Sequence, residues 1–134
     1  MVVALRRYRC VVCRAVIAVV PLEVEPRRHY SRPALALALA LWSLSQLPPR
    51  EVRRRVSPWR ITGATAAAEG WTSLRRWARA VMIGHLFRAI DRALDGSPRD
   101  AAARAARTAL ALAPPTLRDL PIGAQVFHGA VSMT

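Results

Sequence analysis

Residues 34–49 carry no charge, and alanine and leucine alternate from 34 to 41. Period two by itself is the mark of a strand. The residue types argue otherwise. Alanine and leucine are strong helix formers, no β-branched residue interrupts them, and the run through Trp42 and Leu44 is too long for an ordinary strand. A helix is therefore expected, with Ser31 as N-cap and Pro33 in its first turn. Apolar on every side, it should lie buried.

The rest of the chain divides around that helix. Val2 to Tyr8 and Arg14 to Val20 are rich in valine and isoleucine and predict two short strands, with Cys10-Val11-Val12-Cys13 as the turn. Pro21 and Pro26 bound a linker. Pro48 and Pro49 end the apolar helix and open another over 49–56, with Val52 and Val56 on one side. Residues 57–70 are rich in turn formers and small side chains. A helix follows from about Thr72, in which Leu74, Trp77, Ala78 and Val81 form an inward stripe at i, i+3, i+4 and i+7. Thr72, Arg75, Arg76 and Arg79 repeat the spacing on another face. Gly84 marks an interruption, after which 86–94 is expected to continue helically to Gly96. Ser97-Pro98-Arg99-Asp100 predicts an N-cap and a favourable first-turn acid. That helix should run to about Ala113, where Pro114 and Pro115 stop it, and one short helix is expected within 121–130. The fold class expected is mainly α, with a short N-terminal β-hairpin followed by a helix-turn-helix-like helical bundle. The expected units are 1–26 (hairpin and linker), 27–96 (helical domain) and 97–134 (C-terminal helix and weakly structured tail).

Charge narrows the function classes. The chain has 134 residues, 21 arginines, no lysine and a formal net charge of +13. A GC-rich genome would explain arginine in place of lysine, but not so few acids. A polyanion is the leading partner. The excess is uneven: residues 50–79 hold eight arginines and two glutamates, while 80–134 hold six arginines and four aspartates. The arginine-rich helices therefore carry the candidate DNA contacts: Arg53, Arg54 and Arg55 on the first, Thr72, Ser73, Arg75, Arg76 and Arg79 on the second. Arginine can reach phosphates and guanine edges, and short hydroxyl side chains suit phosphate or base contacts. The alternative is a helical protein-interaction module whose arginine content follows genome composition.

Other chemistry is sparse. Asp91, Asp95 and Asp100 lie beside Arg88, Arg92 and Arg99 as surface ion-pair candidates. No glycine-rich phosphate loop or nucleophile elbow occurs. No enzyme activity and no small-molecule substrate are expected. The uncharged run is too short to span a bilayer, which argues against a membrane. Two cysteines this close cannot staple a secreted fold, so a cytoplasmic setting is expected. Cys10 and Cys13 have the spacing of one zinc knuckle, in which a turn directs both sulfurs to one side. Zinc is thus the candidate cofactor, with two of four ligands evident. Other readings are two small thiols buried in a hairpin without metal, a Cys2His2 site drawing on His29, His85 or His128, whose spacing matches no known motif, and a redox pair, for which the helix N-terminus that would lower a thiol pKa is missing.

Taken in order, Arg7-Tyr8-Arg9-Cys10-x-x-Cys13, a β-branched strand, Arg27-Arg28-His29-Tyr30-Ser31, an apolar helix, an arginine-rich helix and Ser73-Leu74-Arg75-Arg76-Trp77 make a pattern over residues 5–82. It resembles the zinc-ribbon/helix-turn-helix N-terminal region of transposase-like bacterial proteins, several known only as a domain of unknown function. The resemblance implies that Cys10 and Cys13 are the second zinc knuckle and that Thr72 to Arg79 begin a recognition helix. The first knuckle is missing, 57–70 is longer than a tight helix-turn-helix connection, and no acidic triad for strand transfer follows. The expectation is a DNA-binding, transposon-associated protein without catalysis of its own, with a second copy of the chain as a potential partner, or a remnant whose chain starts midway through the ribbon.

Overall fold

Ser31 is extended and its side-chain oxygen accepts the Ala34 N–H at 3.4 Å, starting helix α1 (Arg32–Ser43) where the sequence places it. The structure, a computed structural model, describes residues 6–19, 30–57, 70–88, 90 and 96–133. Alternation on a helix distributes leucine around the whole circumference, so α1 has no face to give to water. Leu35, Ala36, Ala38, Leu39, Ala40, Leu41 and Trp42 are all buried. The consequence is architectural: α1 is the axis of the domain. It packs against α2 (Pro49–Val56), α3 (Ser73–Met82), α4 (Pro98–Ala111) and α5 (Ile122–Gly129).

Helix α4 meets α1 through a face built almost wholly of alanine. Ala101, Ala102, Ala105, Ala106 and Ala109 are each fully buried. Small side chains let helix backbones approach closely. Helix α5 comes near to α4 at Gly129, its last residue, where an added Cβ would overlap the Ala109 carbonyl oxygen. Helix α4 begins with a capping box: the Ser97 hydroxyl accepts the Asp100 N–H at 3.2 Å, and the Asp100 carboxylate accepts the Ser97 N–H at 2.8 Å. At the far end of the chain, Arg32 Nη1 donates to the Met133 carbonyl at 2.6 Å, tying the last turn to the first residue of α1. One hydrophobic cluster thus joins α1, α2 and α3 to α4 and α5, on both sides of the expected boundary at residues 96 and 97.

Two expectations are corrected. The first concerns the segment after α3. Its chain does not continue helically through 86–88 but turns over 83–88. Gly84 adopts φ 72° and the His85 N–H reaches back to the Ala80 carbonyl at 2.8 Å, a left-handed C-cap. Phe87 follows at φ 54° and is buried with Leu86 and Ile90, so the segment plugs the core instead of extending a helix. Ala89 and residues 91–95 lie outside the described residues.

The second concerns the hairpin, β1 (Arg6–Arg9) and β2 (Val16–Val19), antiparallel with Tyr8 opposite Ile17 and Arg9 opposite Val16. The sequence predicts its second strand from Arg14, but β2 begins at Val16, because Arg14 adopts φ 63°, outside the extended region. None of the hairpin's residues belongs to the helical core, and Tyr8, Val16, Ile17 and Val19 are all exposed. The outer parts of the predicted strands, 2–5 and 20, fall outside the described residues, as does the linker.

Candidate nucleic-acid interface

Helix α3 separates its two faces cleanly. Leu74, Trp77, Ala78 and Val81 are buried, as their spacing predicts, and Thr72, Arg75, Arg76 and Arg79 are exposed. Ser73 is half-buried. The helix carries no acidic residue, and among the described residues no carboxylate pairs with Arg75, Arg76 or Arg79. Thr72 stands at the N-cap position but makes no capping bond, which leaves its hydroxyl uncommitted at the end of the helix where backbone N–H groups point outward.

The buried side of α3 is braced by aromatic rings. Trp77 packs edge-on against Trp71 with ring centroids 5.1 Å apart, and against Tyr30 at 5.2 Å. Tyr30 also meets Trp71 at 6.1 Å and donates its hydroxyl to Ser57 Oγ at 3.2 Å. Edge-to-face pairs of this kind add about 0.5–1.5 kcal/mol each beyond area burial. Ser57 is the C-cap of α2. One tyrosine therefore couples the end of α2 to the core side of α3. The spacing in the sequence places Trp77 on the buried stripe, but Tyr30 figures there only within the Arg27–Ser31 pattern. Its partners are 27 to 47 residues away, and no local spacing reveals them.

Helix α2 is a different surface. Arg54 Nη2 lies 2.9 Å from Glu51 Oε2, and Arg55 Nε lies 2.8 Å from Glu51 Oε1. The two guanidinium groups, Arg55 first, hold the Glu51 carboxyl below its ordinary range. Arg53 borders the buried Val52–Val56 side; it is half-buried, and its Nε is enclosed with no hydrogen-bond partner. Both α2 and α3 pack on α1 rather than broadly on each other, and residues 58–69 between them lie outside the described residues. The eight predicted contact residues thus fall on two surfaces of unequal character: α3 presents open arginines, whereas on α2 Arg54 and Arg55 are paired with Glu51 and Arg53 is partly enclosed.

Comparison with protein-family models, curated proteins and solved structures returns no match.

Cys10 and Cys13 sit at the exposed tip of the hairpin. The Cys10 N–H donates to the Ala15 carbonyl at 2.8 Å, and the Arg14 N–H to the Cys10 carbonyl at 3.0 Å, with Arg14 at φ 63°. Cys13 is exposed and Cys10 partly so. The backbone N–H groups of Cys13 and Val12, together with the Cys13 thiol, all point to the Cys10 sulfur and lower its pKa. This corrects the reading of two thiols buried in a hairpin. N–H groups directed at sulfur favour the thiolate, the form that binds metal. Among the described residues, no group of three or more His, Cys, Asp and Glu could hold a metal ion. By itself the pair offers two sulfur ligands, fewer than the four that a structural zinc takes.

Sequence reasoning missed one further feature. A groove of about 610 Å³ runs between α1 and α5, lined by Leu37, Leu41, Ile122 and Phe127, with Arg55 and His128 at its border. The available signal was the apolar, outward side of α5, where Ile122 and Phe127 remain exposed. No helix among the described residues is long and apolar enough to cross a membrane.

Proposed function

We propose that this chain binds nucleic acid, duplex DNA in the first instance, through the exposed face of α3. One observation carries the reading: Arg75, Arg76 and Arg79 share a helix face with Thr72, carry no acidic partner among the described residues, and stand on a buried aromatic brace. Three cations within one helical turn match the close spacing of phosphates along a duplex. Their rigid backing limits the entropy lost on docking. Helix α2 is a secondary contact, because Glu51 must release Arg54 and Arg55 before they can bind phosphate. Binding without catalysis is the proposed role, in keeping with the transposase-like pattern of the sequence.

The test is a salt titration of duplex affinity for the parent chain and the Arg75→Ala, Arg76→Ala double variant. Two lost phosphate contacts should lower the slope of log affinity against log salt by about two, with weaker binding throughout. An unchanged titration refutes the proposal. The groove between α1 and α5 favours a second reading, a helical module that docks a protein partner. That reading predicts no retention on heparin or DNA at moderate salt, and a partner that protects Phe127 and Ile122 from solvent.

A further inference from the structure

The β1–β2 hairpin lies outside the helical core, and a two-stranded sheet with both faces in water is marginally stable at best. Its register sorts the side chains into two faces. Arg6 stands opposite Val19 and Tyr8 opposite Ile17, and directly opposed residues project to the same side of a sheet. Arg7, Arg9 and Val16 project to the other side. The first face is aromatic and aliphatic: Tyr8 is 54% exposed, Ile17 62% and Val19 53%. Arginine surrounds it, since Arg6, Arg7 and Arg9 are all exposed on β1 and Arg14 is exposed beyond the turn. Residues 1–20 contain no acid, so no carboxylate of this segment neutralises the charge.

We propose that this face is a second nucleic-acid site, which binds single strands by stacking a base on the Tyr8 ring. Charge and apolar exposure together select that occupant. A polyanion without apolar surface would answer the arginines and leave Tyr8, Ile17 and Val19 in water. An uncharged apolar partner would cover those three and leave the arginines around them uncompensated. A single strand supplies both, with a flat apolar face on every base and a phosphate between neighbours. In a duplex each base is enclosed within the stack, so a ring on a sheet cannot reach its face. One base covers Tyr8, and its neighbour lies over Ile17 and Val19. Arg6 takes a phosphate on the same face, while Arg7 and Arg9 add positive potential from behind the sheet. The α3 surface differs in kind: Trp71 and Trp77 are buried there, and its exposed face offers charge without an aromatic ring. The hairpin site therefore stands apart from the α3 reading and has the opposite strand preference.

The test titrates the full chain against fluorescent oligodeoxythymidylate and against a blunt duplex, in about 0.15 M salt so that distant charges are screened. Tyr8→Val removes the ring but keeps strand propensity and an apolar neighbour for Ile17. It should weaken single-strand affinity roughly 5- to 140-fold, the range of one base–aromatic stack, and leave duplex affinity unchanged. Tyr8→Phe keeps the stack and should stay within about twofold of the parent. The Arg75→Ala, Arg76→Ala variant should retain single-strand affinity whatever becomes of its duplex affinity, so failure of either site is read separately. The parent chain gives a second readout free of substitution: an oligonucleotide bearing iodouracil, irradiated in the complex, should cross-link to Tyr8. The proposal is overturned by a parent chain that does not bind the single strand, or by a Tyr8→Val variant that binds it as well as the parent does. It is equally overturned if Tyr8→Phe loses as much as Tyr8→Val, if single-strand affinity disappears with Arg75 and Arg76, or if every cross-link falls outside residues 6–19.

Discussion

Gly129→Ala sets two known effects against each other at one atom. Gly129 has φ −64° and ψ −32° and ends α5, a helical conformation in which alanine is intrinsically better than glycine by about 1 kcal/mol. Propensity alone predicts a more stable protein. Space predicts the reverse. The new Cβ would lie 1.8 Å from the Ala109 carbonyl oxygen, 2.8 Å from its carbon and 2.9 Å from the Ala113 nitrogen. All three are backbone atoms of α4 or its C-terminal turn, so no rotamer change relieves them. An ordinary contact begins at 3.4 Å, and α5 must therefore retreat by about 1.6 Å. Val126, Ala130 and Met133, all buried, retreat with it. A gap of even 1 Å forfeits up to about half of each dispersion well, and overpacking typically costs about 1–3 kcal/mol. A rigid backbone places this site at the upper end, about 3 kcal/mol. Subtracting the propensity gain leaves a net loss of about 2 kcal/mol, or a fall in Tm of roughly 7 °C for a chain of this length. Gly123→Ala is the control. Its Cβ would meet only Leu37 Cδ1, at 3.0 Å, the flexible end of a side chain. It should be neutral or stabilising by up to about 1 kcal/mol. Urea unfolding followed by tryptophan fluorescence reads both, because Trp42, Trp71 and Trp77 are buried. If Gly129→Ala falls within about 0.5 kcal/mol of the parent, the close approach of α5 to α4 is wrong.

Other consequences test other parts of the molecule. Tyr30→Phe removes the bond to Ser57 Oγ but keeps the ring against Trp71 and Trp77; it should cost about 0.5–1.5 kcal/mol in urea unfolding, and Trp77→Ala about 3–5 kcal/mol. Asp100 has its pKa lowered from an ordinary 3.8, first by the Ser97 hydroxyl and then by the Ser97 N–H. A depressed folded pKa contributes stability that is complete well above 3.8 and is lost as pH falls through the folded value. Asp100→Asn should therefore flatten the loss of stability between pH values of about 5 and 3; an identical acid limb in both proteins would show that the capping box does not form. Glu51→Gln releases Arg54 and Arg55, and under the DNA-binding proposal it should tighten duplex affinity by about two- to fivefold at low salt, the scale of an exposed ion pair. Weaker or unchanged binding in an anisotropy titration would exclude α2 from the interface.

The elements legible in the sequence are those whose signals are local. Ser31 and Pro33 fix the start of α1, Ser97 through Asp100 fix the start of α4, and the stripe from Leu74 to Val81 fixes which side of α3 is buried. Each is decided within one or two helical turns, where spacing and capping chemistry act. The misreadings arise where distant parts compete. Residues 86–88 have ordinary helical propensities, yet Gly84 reverses the chain and Leu86 and Phe87 are buried in the core. The closeness of α5 to α4 at Gly129 likewise depends on five alanines 20 to 28 residues earlier in the chain.

The candidate interface shows both situations within a few residues. Glu51 stands three and four positions before Arg54 and Arg55, the spacing at which helical side chains meet, so their pairing could be read from the sequence. No acid stands at such a spacing in α3, so the openness of Arg75, Arg76 and Arg79 could be read there too. Counting arginines treats the two helices as equals, since each contributes at least three. Counting arginines without an acid three or four positions away ranks α3 first, and the geometry gives the same order. The exception is Arg53, which has no such acid and is nonetheless compromised, because its place beside Val52 and Val56 draws its Nε under the surface. For a basic helix, the charge available to a polyanion is thus set by two quantities, intrahelical pairing and distance from the buried stripe. By that measure Arg75 and Arg76, exposed and unpaired among the described residues, are where a loss of charge should be felt most in binding and least in folding.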